Sequence, residues 1–552
     1  MNSKVLSWSV IFCALISLPF VFNSCQKSSS PSSSSAAAQS VQCRVMRAGA
    51  DLRAKVSAEP KTLPFASAKV HLRNSNKISA NGTVPSGSEL SILADNSCVK
   101  NSNNQSVLAN VIAAGHPHPM LQQQAYTWTL GRDYNESEIQ ALVDQHACVL
   151  GVSWNQHYKV QTTSIIGSQV GSGGSSGSGS TSSPATSNVT FNDPLFTQQE
   201  HFNALRAPQA YAGIYDVSGG LSSTVGSPVL IAVVDTGVDW THPDISGNLW
   251  EHSQGMGIDA TTIGSGLVDF NPFDVSSIGH GTHVSGLIAA VTNNNLYGAG
   301  VMPFRAQIMA IKVYYLDSSG DMLTSSTDLA NGINFATNNG ANVINISLSS
   351  ITSGPSSDPV TETAITGAVN AGLTVVVVIG NNDSGAGQLI DGQTTSSIPG
   401  QYATTEGVIG VGSIDTSTMA KSYFSDYSTT YAEIGAPGAV SSGASVTPQG
   451  LLSTIPTGIN PAGYGRLAGT SQAAPMVSAA AGLTYGLIKG ATGTAPTPAQ
   501  IESLIEGSAI QSTALEPYFM NGNQLDLPNL VYLINEQFPA TLGGRTLPTT
   551  CP

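Results

Sequence analysis

Five stretches of the chain are strand-like and mostly apolar, several of them without a break: Val229–Val234, Gln307–Tyr314, Val343–Leu348, Leu373–Ile379 and Val408–Ile414. Short, β-branched runs of this kind predict strands buried on both faces, the pattern of a parallel sheet. Between and after them, apolar positions spaced for one helical face predict helices over His283–Val291, Ser326–Asn338 and Thr361–Asn370, and a long Ala-rich one over Ser471–Lys489. Thr497-Pro498-Ala499-Gln500 reads as one more helix start, with Thr at the N-cap, Pro at the first position and Gln at the third. The alternation predicts an α/β fold: an open, doubly wound, mainly parallel sheet over residues 189–540. Active sites of such sheets form in loops at the carboxyl ends of the strands.

The earlier part of the chain has a different rhythm. Ala125–Leu130 alternates like a half-buried strand, Glu136–Gln145 like an amphipathic helix, and Cys148–Val160 like a second strand region. This predicts a small α+β domain over residues 41–166. Residues 167–188 are almost purely Gly, Ser and Thr and read as a flexible linker, and 541–552 as a tail. At the start, Lys4 precedes an apolar run from Val5 to Phe22, the form of a secretory signal over residues 1–24. Cys25, directly after Ser24, resembles the lipidated cysteine of bacterial lipoprotein signals, with Phe22 where Leu is usual. Residues 25–40 then form a Ser-rich tether.

Composition narrows the class. Of 552 residues only 10% are charged while 41% are hydrophobic, which excludes a charge-driven disordered chain. The formal charge of −14 argues against a nucleic-acid partner, since phosphate binders concentrate Lys and Arg. With one long apolar stretch, at the N-terminus, the expected membrane contact is through a lipid anchor only. The expectation is an exported protein: an outer-membrane or cell-surface lipoprotein, or one secreted after processing. In that oxidising setting Cys43, Cys98, Cys148 and Cys551 can form two disulfides in three ways. If all four pair, one bridge joins the N-terminal region to the tail.

Three motifs carry the chemistry: Asp235-Thr236-Gly237 after the first strand, His280-Gly281-Thr282-His283 opening a helix, and Gly469-Thr470-Ser471 opening the Ala-rich helix. A serine hydroxyl is a poor nucleophile until a base lies within hydrogen-bond reach. His280 supplies that base, and a buried carboxylate at Asp235 fixes its tautomer and stabilises the imidazolium. Asn381, after the strand Leu373–Ile379, and the Ser471 N–H are donors suited to a tetrahedral oxyanion. Other readings are weaker. An aspartic protease needs a second carboxylate in a matching loop or a symmetric dimer, and it would leave the His280 and Ser471 motifs unexplained; a zinc pair at His280 and His283 lacks a third ligand in context. A non-catalytic surface lipoprotein would be marked by a missing catalytic group, and none is missing.

The segments Val233–Asp244, Gly279–Asn294, Asn339–Leu348, Val375–Asn382, Ala436–Gly438 and Gly469–Leu483 occur in the order found in the subtilisin-like serine proteases. Residues 192–535 resemble that family, most of all its thermitase-like branch. The resemblance implies a serine endopeptidase acting on polypeptide substrates through an acyl-enzyme, with Asp235, His280 and Ser471 as triad and Asn381 in the oxyanion hole. It implies a substrate cleft lined by Ser347, Leu348, Ser349, Gly380 and Ser397, whose small side chains suit apolar or aromatic groups. Ser349 stands where relatives have Gly, Gln472 where Met is frequent and Met476 where His is common. The resemblance also implies a structural calcium site from Asp193, Asp244 and Asn294 with the carbonyls of Val291, Leu296 and Gly298. The close of the N-terminal domain, Val149–Val160, resembles the end of a subtilisin-type propeptide. That implies an intramolecular inhibitor, self-cleaved between Tyr158 and Ile166.

Overall fold

The computed structural model describes residues 70–72, 83–99, 107–159, 189–214, 226–265, 268–303, 305–382, 385–440 and 450–539. The signal, tether, linker and tail, with Cys25, Cys43 and Cys551, lie outside them.

The N-terminal domain is a four-stranded sheet in the order Val70–His71, Val149–Trp154, Glu89–Asp95, Gln123–Thr129, with helices at Val107–Ala114 and Glu136–Asp144. Glu89–Asp95 runs antiparallel to both neighbours. Its Leu90, Ile92 and Ala94 face a core shared with Leu108, Ile112, Trp128, Ile139 and Val152. The second helix starts on a capping box: Asn135 accepts from the Glu138 N–H while the Glu138 carboxylate accepts from the Asn135 N–H. A Cys98–Cys148 disulfide closes 50 residues, a constraint on the unfolded chain of about 4 kcal/mol. The strand region expected over Cys148–Val160 holds two strands, Val149–Trp154 and His157–Lys159. The second leaves the domain.

The large domain holds a nine-stranded sheet. Its order is Ile510–Gln511, Asn523–Gln524, Ile434–Ala439, Val408–Asp415, Thr374–Val378, Val343–Ile346, Val229–Asp235, Ala306–Lys312, Gly257–Asp259. All pairs are parallel except the first, which is antiparallel. Every residue of the strands at 343–346, 374–378 and 408–415 is buried, as strands covered on both faces require, the polar Asn345, Ser413 and Asp415 included. One face packs on the helices His280–Ala289, Thr470–Thr492, Pro498–Ser508 and Leu527–Gln537; the other packs on Ser326–Asn338 and Pro359–Asn370. The Thr470–Thr492 helix is buried from Thr470 to Ile488. Its small residues permit this: a methyl on Gly482 would lie 2.8 Å from Met302 Sδ and 2.9 Å from Ile231 Cδ1. No helix among the described residues is long and apolar enough to cross a membrane.

The N-terminal domain docks on the second pair of helices. Asn331 accepts the Ala125 N–H at 2.8 Å and donates to the Ala125 carbonyl at 3.1 Å, so a helix side chain takes the place of a neighbouring strand. Asn155 Oδ1 accepts from the N–H and hydroxyl of Thr327, and the Gln156 carbonyl accepts the Ser326 N–H at 2.8 Å. His157–Lys159 then adds to the strand Met322–Ser325 as its antiparallel partner, with Tyr158 opposite Thr324.

Candidate active site

Register brings three chain segments to one rim. Ile346 lies opposite both Val234 and Val377 in the sheet, so Asp235, Ser347 and Val378 leave it at one level. The loops that follow carry the motif residues.

Asp235 ends its strand and His280 begins its helix. Gly281 allows the close approach: a Cβ there would lie 2.1 Å from the Gly237 carbonyl and 3.1 Å from Asp235 Oδ1. The His280 Nδ1–Asp235 Oδ1 separation is 2.7 Å, with both side chains buried. The Thr236 N–H also donates to Asp235 Oδ1 at 2.7 Å. His280 Nε2 has no hydrogen-bond partner among the described residues. Burial alone would lower the imidazole, but the charge and hydrogen bond of Asp235, with the charge of Asp274, outweigh it and hold His280 above its usual value.

Asp274 was not anticipated. Fully buried, it accepts the Thr236 hydroxyl at 2.8 Å, the Ser276 N–H at 3.0 Å, and the Thr282 N–H and hydroxyl at 2.9 and 2.6 Å. Thr236 Oγ1 in turn accepts the Gly281 N–H. One carboxylate thus ties the Asp235 loop to the first turn of the His280 helix. Burial raises this carboxyl, partly countered by those hydrogen bonds. His283 is no metal partner for His280: its Nε2 faces the Leu451 carbonyl at 3.0 Å, and burial pushes it down to about 3.

Ser471 lies in the first turn of its helix, where backbone N–H groups have no helical acceptor. Its Oγ donates to the Ser347 carbonyl at 3.0 Å. The Thr470 N–H and hydroxyl hold Asn381 Oδ1 at 2.9 and 3.0 Å, which turns Nδ2 the other way. A methyl placed on Gly469 would sit 2.9 Å from Gln472 Oε1, 3.4 Å from Asn381 Nδ2 and 3.5 Å from the Ser471 nitrogen, so the two donors lie close together, with the Gln472 amide oxygen beside them. Thr470, read from sequence only as part of a motif, is what aims Asn381.

Leu348 and Ser349 follow Ser347 and lead into Ser350–Ser353, which pairs antiparallel with Thr395–Ile398 and sets Ile351 opposite Ser397. Ser397 is fully buried, and its Oγ has no partner among the described residues. Gly380 has φ 120°, and a Cβ there would meet Ile351 Cδ1 at 2.5 Å and Asp426 Oδ2 at 2.8 Å. The expected pocket of small side chains therefore also holds an apolar wall, Ile351, and a buried carboxylate, Asp426. Neither stands out in sequence, because both come from segments outside the motifs.

A second cluster lies at the other end of the His280 helix. Asp193 accepts the N–H groups of Asn293 and Asn294 at 2.8 and 3.1 Å. The Asn294 amide donates to Asp244 Oδ1 at 2.6 Å, while Asp244 Oδ2 accepts from Tyr464 and from the Gly298 N–H. Both carboxyls are buried and raised by that burial, Asp244 to about 6. Val291, Leu296 and Gly298 lie on the same loop.

A family model described as "Subtilase family" (peptidase S8) matches residues 226–529. Thermitase of Thermoactinomyces vulgaris is 33% identical over 334 residues, which is 60% of this chain and 96% of thermitase. The thermophilic serine proteinase of Bacillus sp. (strain AK1) is 36% identical over 254 residues, 46% of this chain and 51% of that protein. Among solved structures, a protease from Pseudoalteromonas arctica PAMC 21717 is 27% identical, covering 63% of this chain and all of that one, with a TM-score of 0.47. With the family match spanning more than half of the sequence, the chain belongs to the subtilase family and is a serine endopeptidase.

Proposed function

We propose that Asp235, His280 and Ser471 act as the triad of this endopeptidase. Ser471 Oγ attacks the scissile carbonyl while His280 Nε2 takes its proton. Asp235 holds Nδ1 and stabilises the imidazolium. The carbonyl electrons move onto the oxygen, which lies between Asn381 Nδ2 and the Ser471 N–H. On collapse the C–N bond breaks, His280 returns the proton to the leaving amine, and the acyl-enzyme remains. Water, deprotonated by His280, then hydrolyses it. The observation that carries this reading is the buried 2.7 Å Asp235–His280 contact with Nε2 left without a protein partner. Attack requires the Ser471 hydroxyl to exchange the Ser347 carbonyl for His280. A serine-directed phosphonate should label wild type and not Ser471→Ala; an unlabelled, processed wild type refutes the triad.

The N-terminal domain is an intramolecular inhibitor. Its support is the pairing of His157–Lys159 with Met322–Ser325 and the docking through Asn331 and Thr327. The protein is exported, with Cys25 as lipid anchor.

A calcium ion fits Asp193, Asp244 and Asn294. Two buried carboxylates converge there with no Lys or Arg ion pair to either among the described residues. Hard oxygen donors of this kind suit calcium, with the carbonyls of Val291, Leu296 and Gly298 completing the set. Bound there, the ion would pin the start of the domain to the 291–298 loop, a structural task.

A further inference from the structure

Tyr158 is almost wholly buried, and its ring belongs to the same apolar cluster as Leu348, Val360 and Tyr402. Its hydroxyl donates to Asp358 Oδ2 and lies 3.4 Å from Ser326 Oγ. Leu348 directly follows Ser347, whose carbonyl holds the Ser471 hydroxyl, so this cluster adjoins the catalytic serine. Asp358 is fixed before any tyrosine arrives. Its Oδ1 accepts the Thr361 N–H at 3.1 Å and its Oδ2 the Thr361 hydroxyl at 2.6 Å. Its own N–H donates to the Tyr402 oxygen at 2.7 Å, and the Tyr402 hydroxyl donates back to the Asp358 carbonyl at 3.0 Å. Asp358 is fully buried, with no ion-pair partner among the described residues.

We propose that Asp358 is a specificity-determining residue: it makes the substrate position that fills this pocket, on the N-terminal side of the scissile bond, select tyrosine. The proposal rests on the protease reading and on the N-terminal strand standing where substrate binds. When that strand leaves, Asp358 Oδ2 keeps the Thr361 hydroxyl and loses the phenol. A carboxylate that loses one of its hydrogen bonds is stabilised by regaining it, so the next strand to pair with Met322–Ser325 binds better when it brings a phenol to the same place. Sites built around a hydroxyl reject the isostere that lacks it, whereas a purely apolar pocket barely separates Tyr from Phe. Ser326 leaves room for the ring and offers a second polar contact at its tip.

The test uses enzyme matured from the full chain and a set of fluorogenic peptides in which Tyr, Phe or Leu is walked through the five residues before the cut. At one position kcat/KM should be roughly 10- to 100-fold higher for Tyr than for Phe, the range of a hydrogen bond to a charged acceptor. Asp358→Asn keeps a good helix N-cap but removes the charge, and should collapse the Tyr-to-Phe ratio at that position alone. If Asp358→Asn does not fold, the wild-type scan decides by itself. Cleavage of the peptides and of casein with Tyr and Phe equal at every position overturns the tyrosine subsite and leaves the protease intact. No cleavage of any substrate, with Ser471 unlabelled by a phosphonate, overturns the protease reading and this one with it.

Discussion

Ser347 and Ser471 exchange hydrogen bonds: Ser471 Oγ donates to the Ser347 carbonyl, and Ser347 Oγ donates to the Ser471 carbonyl, each at 3.0 Å. Pro475 makes the second bond possible. In an α-helix the donor to the Ser471 carbonyl is the N–H four residues on, and proline has none. Ser347 supplies it from outside the helix, itself held by the Asn345 amide at 2.9 Å.

Ser347→Ala should therefore destabilise the fold by about 1–3 kcal/mol, since it strands a buried carbonyl and a buried amide donor. Adding Pro475→Ala restores a helical N–H and should recover part of that loss. Urea unfolding in a Ser471→Ala background, which prevents self-digestion, measures both. Strictly additive effects would show that Pro475 and Ser347 are not coupled through this carbonyl.

The pH dependence of activity follows from His280. The base must be neutral to act, and its folded pKa lies above the usual 6.5, so kcat/KM should fall on acidification with a midpoint above 6.5. Asp274→Asn removes one of the charges that raise it and should move that midpoint to lower pH. An unmoved acid limb with intact folding would limit Asp274 to holding the two loops together.

Stability has its own acid limb. His201 and His283 are fully buried, and burial pushes each down to about 3. Arg466, which faces both and pairs with Glu200 at 2.9 Å, also disfavours their charged forms, as does His280 for His283. The unfolded chain binds protons near 6.5 and the folded chain does not. The stability present above 6.5 is thus lost as pH falls toward 3. His201→Phe removes one such group, whose ring nitrogens lack partners among the described residues, and should flatten the decline. Melting temperatures of the Ser471→Ala background from pH 7 to 4 check this; parallel curves with and without His201 would sink it.

Chelation should lower the melting temperature if calcium binds at Asp193, Asp244 and Asn294. A site saturated about 1,000-fold over its Kd adds roughly 4 kcal/mol. Asp193→Asn should lower the melting temperature in calcium and leave little further response to chelator. Identical melting of wild type in calcium and in chelator would remove the site.

With Cys98 and Cys148 joined, and with Cys13 in the proposed signal and Cys25 as the proposed anchor, Cys43 and Cys551 remain to pair. If those two pair, the cleaved N-terminal domain and the protease should co-migrate on a gel without reductant and separate with it. Separation in both lanes rules that bridge out.

Sequence pattern was enough for five adjacent strands of the nine-stranded sheet, because they are largely buried and read as mostly apolar runs. Helix and strand ends were less legible. The helix whose apolar spacing predicts His283–Val291 spans His280–Ala289: its first turn carries the motif residues rather than the apolar pattern, and Gly281 is needed there for its missing side chain against Asp235. Ile434–Ala439 is a core strand despite two glycines and a proline. Gly435 is required there, since a Cβ would lie 2.6 Å from the Phe519 ring. The triad residues announce themselves through local motifs. Asp274, Thr470 and Asp426 act through residues far away in the chain, and no local spacing marks such partners.

The strand Met322–Ser325 has one free edge to offer, and His157–Lys159 takes it. A peptide in solution must compete for that edge with a segment carried on the same molecule, present at a local concentration on the order of millimolar. Binding energy alone does not clear it; severing the connection does, by letting the resident strand dilute into the surroundings. If the N-terminal domain is the inhibitor proposed above, the first bond the enzyme cuts would also be the one whose loss makes its cleft available to others.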